Sequence, residues 1–506
     1  LATLKARAVA ARCPDDAENL DLDATTGRVA FTRGQNLFVA EPGATEAVQV
    51  TRDSVDGHVN GASVHRQEYG ITKGTFWSPT GNLLAFYRMD ESMVTTYQLE
   101  DIGTQPSTFR SIRYPMAGQT SHHVRIGIYD TRTKSLVHLA TGDPLDQYLT
   151  NIAWDPSEQW VYVTHLDRKT EHLKLVRYNV KTGAAAGILI EEHNDKYLEP
   201  EHAPVFLQRT AGRYIWWSER DGWQHLYLYD VKAGLLRQLT SGRWVVKEIV
   251  GIDEKETAVI VEGTGSDPRE THIYRVPLVA GPVTRLTREP GTHSARPSKD
   301  GRSVIDEWSS LTVPGRTEVL DATSGRSEKT ILISPDPLRS VKHGTVAPMT
   351  VIGENNDTLY ARLIKPADFD PSRKYPVIVY LYNGPHVQLV TNSFLGGASL
   401  WMLHAAERGY LVFTVDGHGS ENRGLAFEQA IHRRLGVLEV KDQLHGVDLL
   451  KSLPYVDTDR MAVHGWSFGG HVTVGLMLRS PDTFKAAVAG GPVMDWAMYE
   501  VGYTVS

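Results

Sequence analysis

The sequence is poor in the features that would place it in several specialised classes of protein. Its 506 residues include one cysteine, Cys13, so the fold does not depend on an intramolecular disulfide. No stretch approaches the roughly 20 consecutive apolar residues that a membrane-spanning helix needs. The net charge of −7 provides no excess of positive charge for binding nucleic acid or an anionic membrane. What remains is an ordinary globular composition, 41% hydrophobic and 22% charged, in a chain long enough for two domains.

The start of the chain is where a signal peptide for export would lie. It opens with Leu1 rather than methionine, and no signal-peptide pattern is visible. We therefore expect Leu1 to be a fragment edge or a processed terminus. A single cysteine is as compatible with the periplasm as with the cytoplasm.

Residues 1–337 show short alternating runs separated by turn signals, with little helical pattern. The runs at 26–40, 76–90, 153–168 and 214–242 each combine a Pro, Asp or Gly turn with a strand and a hairpin. About six such units recur, which predicts a β-propeller domain whose blades pack face to face. The number of blades stays open, because the spacing is irregular and a blade before Leu1 is possible. A pair of β-sandwiches is the alternative.

Residues 338–506 follow a different pattern. The segments 374–385 and 409–419 are continuous apolar runs closed by glycine or proline, as in strands buried on both faces. Helical periodicity marks 399–409 and 439–453. This alternation predicts a parallel sheet with helices on both faces, an α/β-hydrolase domain whose C-terminal part we expect to be missing.

The hydrolase segment contains the pentapeptide Gly465-Trp466-Ser467-Phe468-Gly469. This is the Gly-x-Ser-x-Gly pattern of a nucleophile elbow, in which a serine sits at a sharp turn between a strand and a helix. The pattern alone is weak, but a predicted strand at 461–464 and a predicted helix at 470–479 surround it. We predict that Ser467 is a nucleophile; a buried structural serine is the alternative.

A nucleophilic serine requires donors for the oxyanion that its attack creates. The backbone N–H of Phe468, directly after the serine, is one predicted donor. Tyr382, at the end of the predicted strand in 374–385, offers its hydroxyl as the second. From the residues alone, Tyr382 is equally well explained as a half-buried strand tyrosine.

Several motifs together resemble the prolyl oligopeptidase family, and within it the dipeptidyl peptidase IV branch. The resemblance spans nearly the whole chain. It implies an N-terminal propeller with an α/β-hydrolase domain, and removal of short peptides ending in proline from a free N-terminus. The motifs are GWSFGG (465–470), YNGP (382–385), HRRLG (432–436), GGPVMDWAMYEVGY (490–503) and the propeller segment 65–94.

The resemblance assigns roles to individual residues. Ser467 matches the nucleophile and Tyr382 the oxyanion tyrosine. A flat apolar pocket suits the pyrrolidine ring of proline, which has no N–H to bind. Ordinary core packing is the alternative for the pocket residues. Those that match the proline pocket are Trp466, Val493, Trp496, Tyr499 and Tyr503.

Two departures concern the site that binds the substrate's amino group. The branch carries an adjacent pair of glutamates, whereas this chain has the single Glu68 after Gln67. A second acid, Glu500, follows Tyr499 and is similar to a glutamate of the prolyl tripeptidyl peptidases. One carboxylate from each domain would hold a cationic amine. We therefore expect tripeptide release, and dipeptide release is the alternative. For Glu500 itself, the alternative is a solvated helix residue.

The acid and base partners of Ser467 follow the serine in α/β-hydrolases, in the order Ser, Asp, His. The resemblance places both beyond residue 506, so we expect the chain to be truncated and inactive alone. His464, His471 and His445 are the nearby histidines in the sequence. The first two flank the elbow too closely to reach the serine, and all three are expected to be structural or exposed.

These observations leave three hypotheses about function. The first is a serine exopeptidase that acts on peptides with proline near a free N-terminus, without a cofactor or a metal ion. The second is a non-catalytic binding protein on the same fold, and the third is an esterase or acylaminoacyl peptidase, which would not need Glu68 or Glu500. The resemblance further suggests a homodimer and a periplasmic or secreted location.

Overall fold

The computed structural model describes Ala11 and residues 13–505, and the chain divides into two compact units. The first unit runs to Trp217 and also contains Tyr229–Leu235 and the chain from Asp495 onward, and the second contains Ser218–Leu228 and Leu236–Met494.

The first unit consists mainly of small antiparallel sheets whose strands follow one another along the chain. Three sheets have the strand orders β1-β2-β3-β4, β11-β10-β7-β5 with β6 also paired to β7, and β12-β13-β14-β15, and β8 and β9 form a separate hairpin. The strands are β1 (Glu18–Leu22), β2 (Val29–Arg33), β3 (Asn36–Ala40), β4 (Val48–Gln49), β5 (His58–Asn60), β6 (Thr75–Trp77), β7 (Leu83–Asp90), β8 (Thr96–Asp101), β9 (Thr108–Arg113), β10 (His123–Asp130), β11 (Leu136–His138), β12 (Tyr148–Trp154), β13 (Trp160–Leu166), β14 (His172–Asn179) and β15 (Ala185–His193).

Strand β7 packs against other sheets on both of its faces. Alternate residues of a strand point to opposite faces of its sheet. Ala85 and Tyr87 pack into a core shared with β10, β12 and β13. Leu84 and Phe86 pack into a second core shared with β2 and β3. Both faces are therefore buried, as expected of sheets stacked face to face.

A further meander and an eight-stranded sheet follow. Strand β16 pairs antiparallel with β17, and the boundary between the units crosses β17 and the two strands after it. In the eight-stranded sheet, β20 to β23 and β24 to β27 are two meanders joined by one parallel pair, Thr271 with Thr292. The strands are β16 (Val205–Phe206), β17 (Arg213–Ser218), β18 (His225–Asp230), β19 (Gly234–Gln238), β20 (Val246–Ile252), β21 (Ala258–Thr264), β22 (Thr271–Pro277), β23 (Thr284–Arg285), β24 (Thr292–Pro297), β25 (Ser303–Ser310), β26 (Val313–Asp321) and β27 (Ser327–Ile333).

The rest of the second unit is built on a six-stranded sheet of order β28-β29-β31-β30-β32-β33. Strands β31, β30, β32 and β33 run parallel, and β28 and β29 are antiparallel additions at one edge. The strands are β28 (Thr345–Ile352), β29 (Thr358–Lys365), β30 (Tyr375–Leu381), β31 (Leu411–Asp416), β32 (Val456–Trp466) and β33 (Ala486–Gly490). The α-helices of the chain are α1 (Leu400–Glu407), α2 (Leu425–Glu428), α3 (Leu438–Ser452), α4 (Phe468–Arg479) and α5 (Val501–Val505), and 3-10 turns lie at His65–Gln67, Glu354–Asn356, Phe394–Gly397, Gln429–Ile431 and Trp496–Met498.

Helices cover both faces of this sheet. Val412 of β31 packs with Met402 of α1. On α3, a methyl group at Gly446 would lie 2.9 Å from the ring of Phe413 and 3.1 Å from Val415. Because residues 412 and 413 point to opposite faces, α1 and α3 lie on opposite sides of the sheet.

The predicted fold class is confirmed: a β-propeller precedes an α/β-hydrolase domain. Residues 18–333 contain six successive meanders, in agreement with the six repeated units expected from the sequence. The prediction of a wholly parallel sheet missed β28 and β29. These strands precede the first βα unit and occupy an edge, where antiparallel pairing needs no crossover helix.

The compact units do not follow the expected domain bounds of 1–337 and 338–506, which stay a prediction. Strands β20 to β27 group with the hydrolase sheet. Asn392, in the chain after β30, contacts this region: its amide donates to Glu270 at 2.7 Å, and its carbonyl accepts from Thr292 at 3.2 Å. The chain after Asp495 groups with the first unit because Glu500 pairs in a β-bridge with Met116.

Candidate active site

Ser467 lies at a strained turn between β32 and α4. Its backbone angles are φ 55° and ψ −118°, a conformation that residues other than glycine rarely adopt. Two backbone hydrogen bonds hold this turn: Ser467 N–H donates to Gly490 at 2.8 Å, and the Ser467 carbonyl accepts from His471 N–H at 3.1 Å. The sequence pattern is therefore realised as a strand–serine–helix turn.

The glycines around Ser467 allow very close backbone approach. A methyl group at Gly469 would lie 2.5 Å from the carbonyl oxygen of Leu381 and 3.0 Å from the Cα atom of Tyr382. A methyl group at Gly465 would collide with the Gly469 backbone. The first turn of α4 is thus packed directly against the end of β30, which brings Tyr382 to the serine.

The two predicted oxyanion donors, Tyr382 and Phe468, lie beside Ser467. The Tyr382 hydroxyl shares a hydrogen bond with Ser467; burial raises the pKa of Tyr382, and this hydrogen bond lowers it. Phe468 is the first residue of α4, so its N–H is not used by the hydrogen-bond ladder of the helix. The ring of Tyr382 fits because position 384 is glycine, where a methyl group would lie 2.5 Å from that ring.

The three histidines considered in the sequence each have a partner of their own. The Nδ1 atoms of His464 and His471 lie 3.0 and 2.8 Å from backbone carbonyl oxygens, and Nε2 of His445 lies 3.1 Å from a carboxylate oxygen. These contacts agree with the structural roles expected of them. The partners are, in the same order, Val488, Val493 and Glu354.

Two of the predicted pocket residues, Trp466 and Val493, belong to the second unit. Trp466 is 64% exposed, although it directly precedes the serine. Its ring lies against Gly490, where any side chain would collide with it. Val493 is half-buried, and its carbonyl is the one that contacts His471. An exposed indole beside the serine is an apolar surface that a substrate ring could cover.

The other three predicted pocket residues form one aromatic cluster in the first unit. Tyr499 lies edge-on to Trp496 and to Tyr503, with ring centroids 5.7 and 5.2 Å apart. Trp496 and Tyr503 are stacked, with centroids 5.9 Å apart. These separations are typical of favourable aromatic pairs.

Glu500 lies next to this aromatic cluster and is 6% exposed. Its carboxylate accepts hydrogen bonds from the N–H groups of Gly502, at 2.9 Å, and Tyr503. Burial raises the pKa of Glu500, while these bonds and the charges of Arg66 and Arg168 lower it. The expected alternative of a solvated helix residue therefore does not describe Glu500.

Glu68 follows the 3-10 turn His65–Gln67 and is half-buried. The next residue, Tyr69, is buried, and its hydroxyl donates to the carbonyl of Gly502 at 3.2 Å. Burial raises the pKa of Tyr69 well above its usual value, and the negative charges of Glu500 and Glu68 contribute to this rise. The charges of both carboxylates thus act on the same phenol.

Sequence reasoning missed a set of buried polar residues on α3. Glu439, Asp442 and Gln443 are all 0% exposed, on the same helix as the buried Val447. Burial raises the pKa of Glu439 to about 7. Polar residues at positions that helical periodicity assigns to the core were the available signal, because such groups are costly to bury without a specific partner.

The described residues contain neither a candidate metal cluster nor a helix suited to span a membrane. Among these residues, no group of three or more His, Cys, Asp or Glu side chains is arranged to hold a metal ion. No helix in the described part of the chain is long and apolar enough to cross a bilayer.

Two family models match the chain. Residues 3–315 match the model described as the dipeptidyl peptidase IV N-terminal region. Residues 398–505 match the model described as the prolyl oligopeptidase family.

Individual relatives agree with these matches. The chain is 28% identical over 524 residues to a probable dipeptidyl peptidase 4 of Aspergillus fumigatus, which covers 99% of this chain and 68% of the relative. It is 28% identical to dipeptidyl peptidase 8 of Mus musculus, covering 87% of this chain and 58% of that protein.

Solved structures give the same result. A putative dipeptidyl aminopeptidase IV from Bacteroides ovatus matches with a TM-score of 0.92 and 43% identity, over 97% of this chain and 71% of the other. Dipeptidyl peptidase 4 of Porphyromonas gingivalis matches with a TM-score of 0.87 and 30% identity, over 96% of this chain and 69% of the other.

The fold and the serine turn define a serine hydrolase with an N-terminal β-propeller. The chain belongs to the prolyl oligopeptidase family, in its dipeptidyl peptidase IV branch. It is a serine peptidase of this branch.

Proposed function

We propose that this peptidase releases tripeptides of the type Xaa-Xaa-Pro from the free N-terminus of peptides. The observation that carries the proposal is the buried carboxylate of Glu500, whose negative charge, like that of Glu68, acts on the phenol of Tyr69. An ammonium group has three donors and binds carboxylates through charge-assisted hydrogen bonds. One carboxylate from each of these residues would supply the acceptors that such a group requires.

Backbone contacts hold the carboxylate of Glu500 in place. The backbone N–H groups of Gly502 and Tyr503 both donate hydrogen bonds to it. The same two contacts would also make Glu500 the N-cap of the short helix α5, and this structural role is the alternative to binding the amine. A cap contributes to stability, whereas an amine site contributes to substrate affinity, so the two roles separate experimentally.

In the proposed reaction, Ser467 Oγ attacks the carbonyl carbon of the proline residue. A histidine base, as used by this class of hydrolases, takes the serine proton. The carbonyl oxygen becomes an oxyanion that accepts hydrogen bonds from the Tyr382 hydroxyl and the Phe468 N–H. Collapse of this intermediate expels the amine of the following residue, which takes the proton from the histidine, and water then hydrolyses the acyl-serine ester. Trp466, Val493, Trp496, Tyr499 and Tyr503 would bind the proline ring.

Substrate length tests the proposal directly. We expect the full-length protein to cleave Ala-Ala-Pro-p-nitroanilide with a higher kcat/KM than Ala-Pro-p-nitroanilide, because the amine of the shorter substrate would lie one residue short of the carboxylates. An N-acetylated Ala-Ala-Pro substrate is the control and should be cleaved poorly. A higher kcat/KM for Ala-Pro-p-nitroanilide would contradict tripeptide release and favour dipeptide release. Dipeptide release is the second candidate, because the relatives above are named for it.

We expect Glu500→Gln to raise KM for Ala-Ala-Pro-p-nitroanilide by about 10- to 100-fold, since a hydrogen bond to a charged group contributes about 1.5–3 kcal/mol. The substitution keeps one oxygen as an acceptor for the backbone but removes the charge. Because burial raises the pKa of Glu500, the ionised form is lost as pH falls, and KM of the unmodified protein should rise as pH falls through that pKa.

Glu100→Gln is the matched control, because Glu100 is an exposed carboxylate of the same unit. A Glu500→Gln variant with an unchanged KM and a lower unfolding temperature would assign Glu500 to capping α5. If neither Glu500→Gln nor Glu68→Gln alters KM, an esterase or acylaminoacyl peptidase becomes the better interpretation. The homodimer suggested by the resemblance stays part of the proposal.

A further inference from the structure

A pair of buried amide side chains, one of them next to Tyr382 in the chain, forms a hydrogen bond close to the predicted oxyanion tyrosine. Asn383 follows Tyr382 in the chain and is 3% exposed, and Gln443 of α3 is 0% exposed. The Oδ1 atom of Asn383 accepts hydrogen bonds from Gln443 Nε2 at 2.8 Å and from the N–H of Gly417 at 3.0 Å. Gln443 Nε2 also donates to the carbonyl of Val415 at 3.0 Å.

Two backbone groups, the N–H of Gly417 and the carbonyl of Val415, determine how the two amides are oriented. The N–H of Gly417 needs an acceptor, so the nearby Asn383 atom must be oxygen rather than nitrogen. The carbonyl of Val415 needs a donor, so the nearby Gln443 atom must be nitrogen. The contact between the two side chains is then donor to acceptor, in agreement with the backbone contacts at each end.

Asn383 occupies a backbone conformation that requires support. Its φ of 57° lies in the left-handed region, which asparagine tolerates better than most residues but still at a cost. The direction in which the Tyr382 side chain leaves the backbone depends on this turn. A side-chain contact that holds Asn383 therefore holds Tyr382 as well.

The neighbouring loop is attached to the same helix. The carboxylate of Asp442 accepts from both the N–H and Nδ1 of His418, each at 2.7 Å, and Nε2 of His418 lies 3.1 Å from Asp357. A methyl group at Gly417 would lie 2.8 Å from Asp442 and 2.9 Å from Asn383, so only glycine fits there. Residues 442 and 443 thus bind the chain after β31 and the chain after β30.

These loops emerge at one edge of the sheet. Strand β30 lies between β31 and β32 and runs parallel to both, so Tyr382, Gly417 and Ser467 all follow the carboxyl ends of adjacent strands. Helix α3 therefore supports the loop that carries Tyr382, and the serine turn contacts the start of the same loop, where Gly469 packs against Leu381.

We propose that Gln443 and Asn383 are positioning residues of the reaction, which hold the Tyr382 hydroxyl at the place where the oxyanion forms. This inference rests on the proposed role of Tyr382 as an oxyanion donor. The arrangement is costly as a purely structural device, because Asn383 Nδ2, Gln443 Oε1 and Asp442 Oδ1 have no hydrogen-bond partner among the described residues. A leucine at position 443 would fill similar space without the unpartnered Oε1 atom, so we infer that the amide pair serves placement.

The test uses Gln443→Leu and Asn383→Gly in the full-length protein, each with and without Tyr382→Phe. Glycine at position 383 keeps the left-handed turn accessible and removes only the amide. The substrate is whichever of Ala-Ala-Pro- and Ala-Pro-p-nitroanilide is cleaved faster, so the result does not depend on peptide length. Val447→Ala, which truncates another buried residue of α3, is the control for loss of stability.

We expect each single variant to lower kcat about 10-fold with KM changed less than about twofold, since a small misplacement of a catalytic group costs up to about 100-fold. The double variant should lose no more than either single variant. In the Tyr382→Phe background both substitutions should change kcat less than twofold. Val447→Ala should lower the unfolding temperature, and at temperatures below its unfolding transition its kcat should be unchanged.

The outcomes separate the two proposals. A full additional 10-fold loss in the Tyr382→Phe background, or unchanged kcat in both single variants, would overturn the positioning role and leave the oxyanion role of Tyr382 intact. If Tyr382→Phe by itself retains full activity, the oxyanion role fails, and the positioning role fails with it. Urea unfolding of every variant identifies any that lose activity by failing to fold.

Discussion

Replacing Ser467 by alanine is expected to lower kcat of the full-length protein by at least about 10⁴-fold, because no acyl-enzyme can form without the Oγ nucleophile. Substrate binding does not depend on that oxygen, so KM should change less than about threefold. The strained turn at φ 55° suits alanine no worse than serine, and the unfolding temperature should therefore stay close to that of the unmodified protein. Steady-state kinetics with a p-nitroanilide substrate measures the loss.

Ser372→Ala is the control, since Ser372 is an exposed serine of the same unit. A fluorophosphonate should label the unmodified protein and the Ser372→Ala variant, and it should not label Ser467→Ala. Residual activity above about one per cent in Ser467→Ala, with labelling at another residue, would reject Ser467 as the nucleophile. A full-length protein that binds peptides but is not labelled at all would favour the binding-protein hypothesis.

Replacing Tyr382 by phenylalanine is expected to lower kcat by about 10²- to 10³-fold, the usual cost of removing one oxyanion donor. The hydroxyl would contact the reacting oxygen only as negative charge develops on it, so KM should change little. Burial raises the pKa of Tyr382. The phenol therefore keeps its proton at and above neutral pH, and the loss should be the same across pH 6 to 9.

Tyr410→Phe provides the matched control, because Tyr410 is a partly exposed tyrosine of the same unit whose hydroxyl is remote in sequence from the motif. Pre-steady-state measurement of the acylation rate would locate the loss in the step that forms the oxyanion. If Tyr382→Phe raised KM while leaving kcat unchanged, the tyrosine would contribute to substrate binding rather than to oxyanion stabilisation.

The parts of the site that sequence analysis identified are those whose geometry is local. Ser467 and Phe468 are adjacent, and the glycines at 465 and 469 lie within two residues of the serine. A strand, a sharp turn and a helix within one short segment can be recognised without knowing any contact to residues far away in the sequence. The six meanders were predictable for the same reason, because each is formed by strands close together in the sequence.

The residues that sequence analysis missed depend on contacts between distant segments. Gln443 and Asn383 are 60 residues apart, and nothing in either local pattern indicates that their amides meet. The two antiparallel strands β28 and β29 were also missed, because an apolar run does not show the direction in which a strand pairs.

The sequence by itself determined the fold class, the nucleophile turn and the family, since each depends on residue order within short segments or on motifs in combination. Only the tertiary structure decided that Glu500 is buried and that its segment meets the propeller strands, where Tyr69 contacts Gly502 across 433 residues. It also decided which polar groups of α3 support Tyr382. Burial and partner choice depend on how all elements pack together, and no local pattern contains that information.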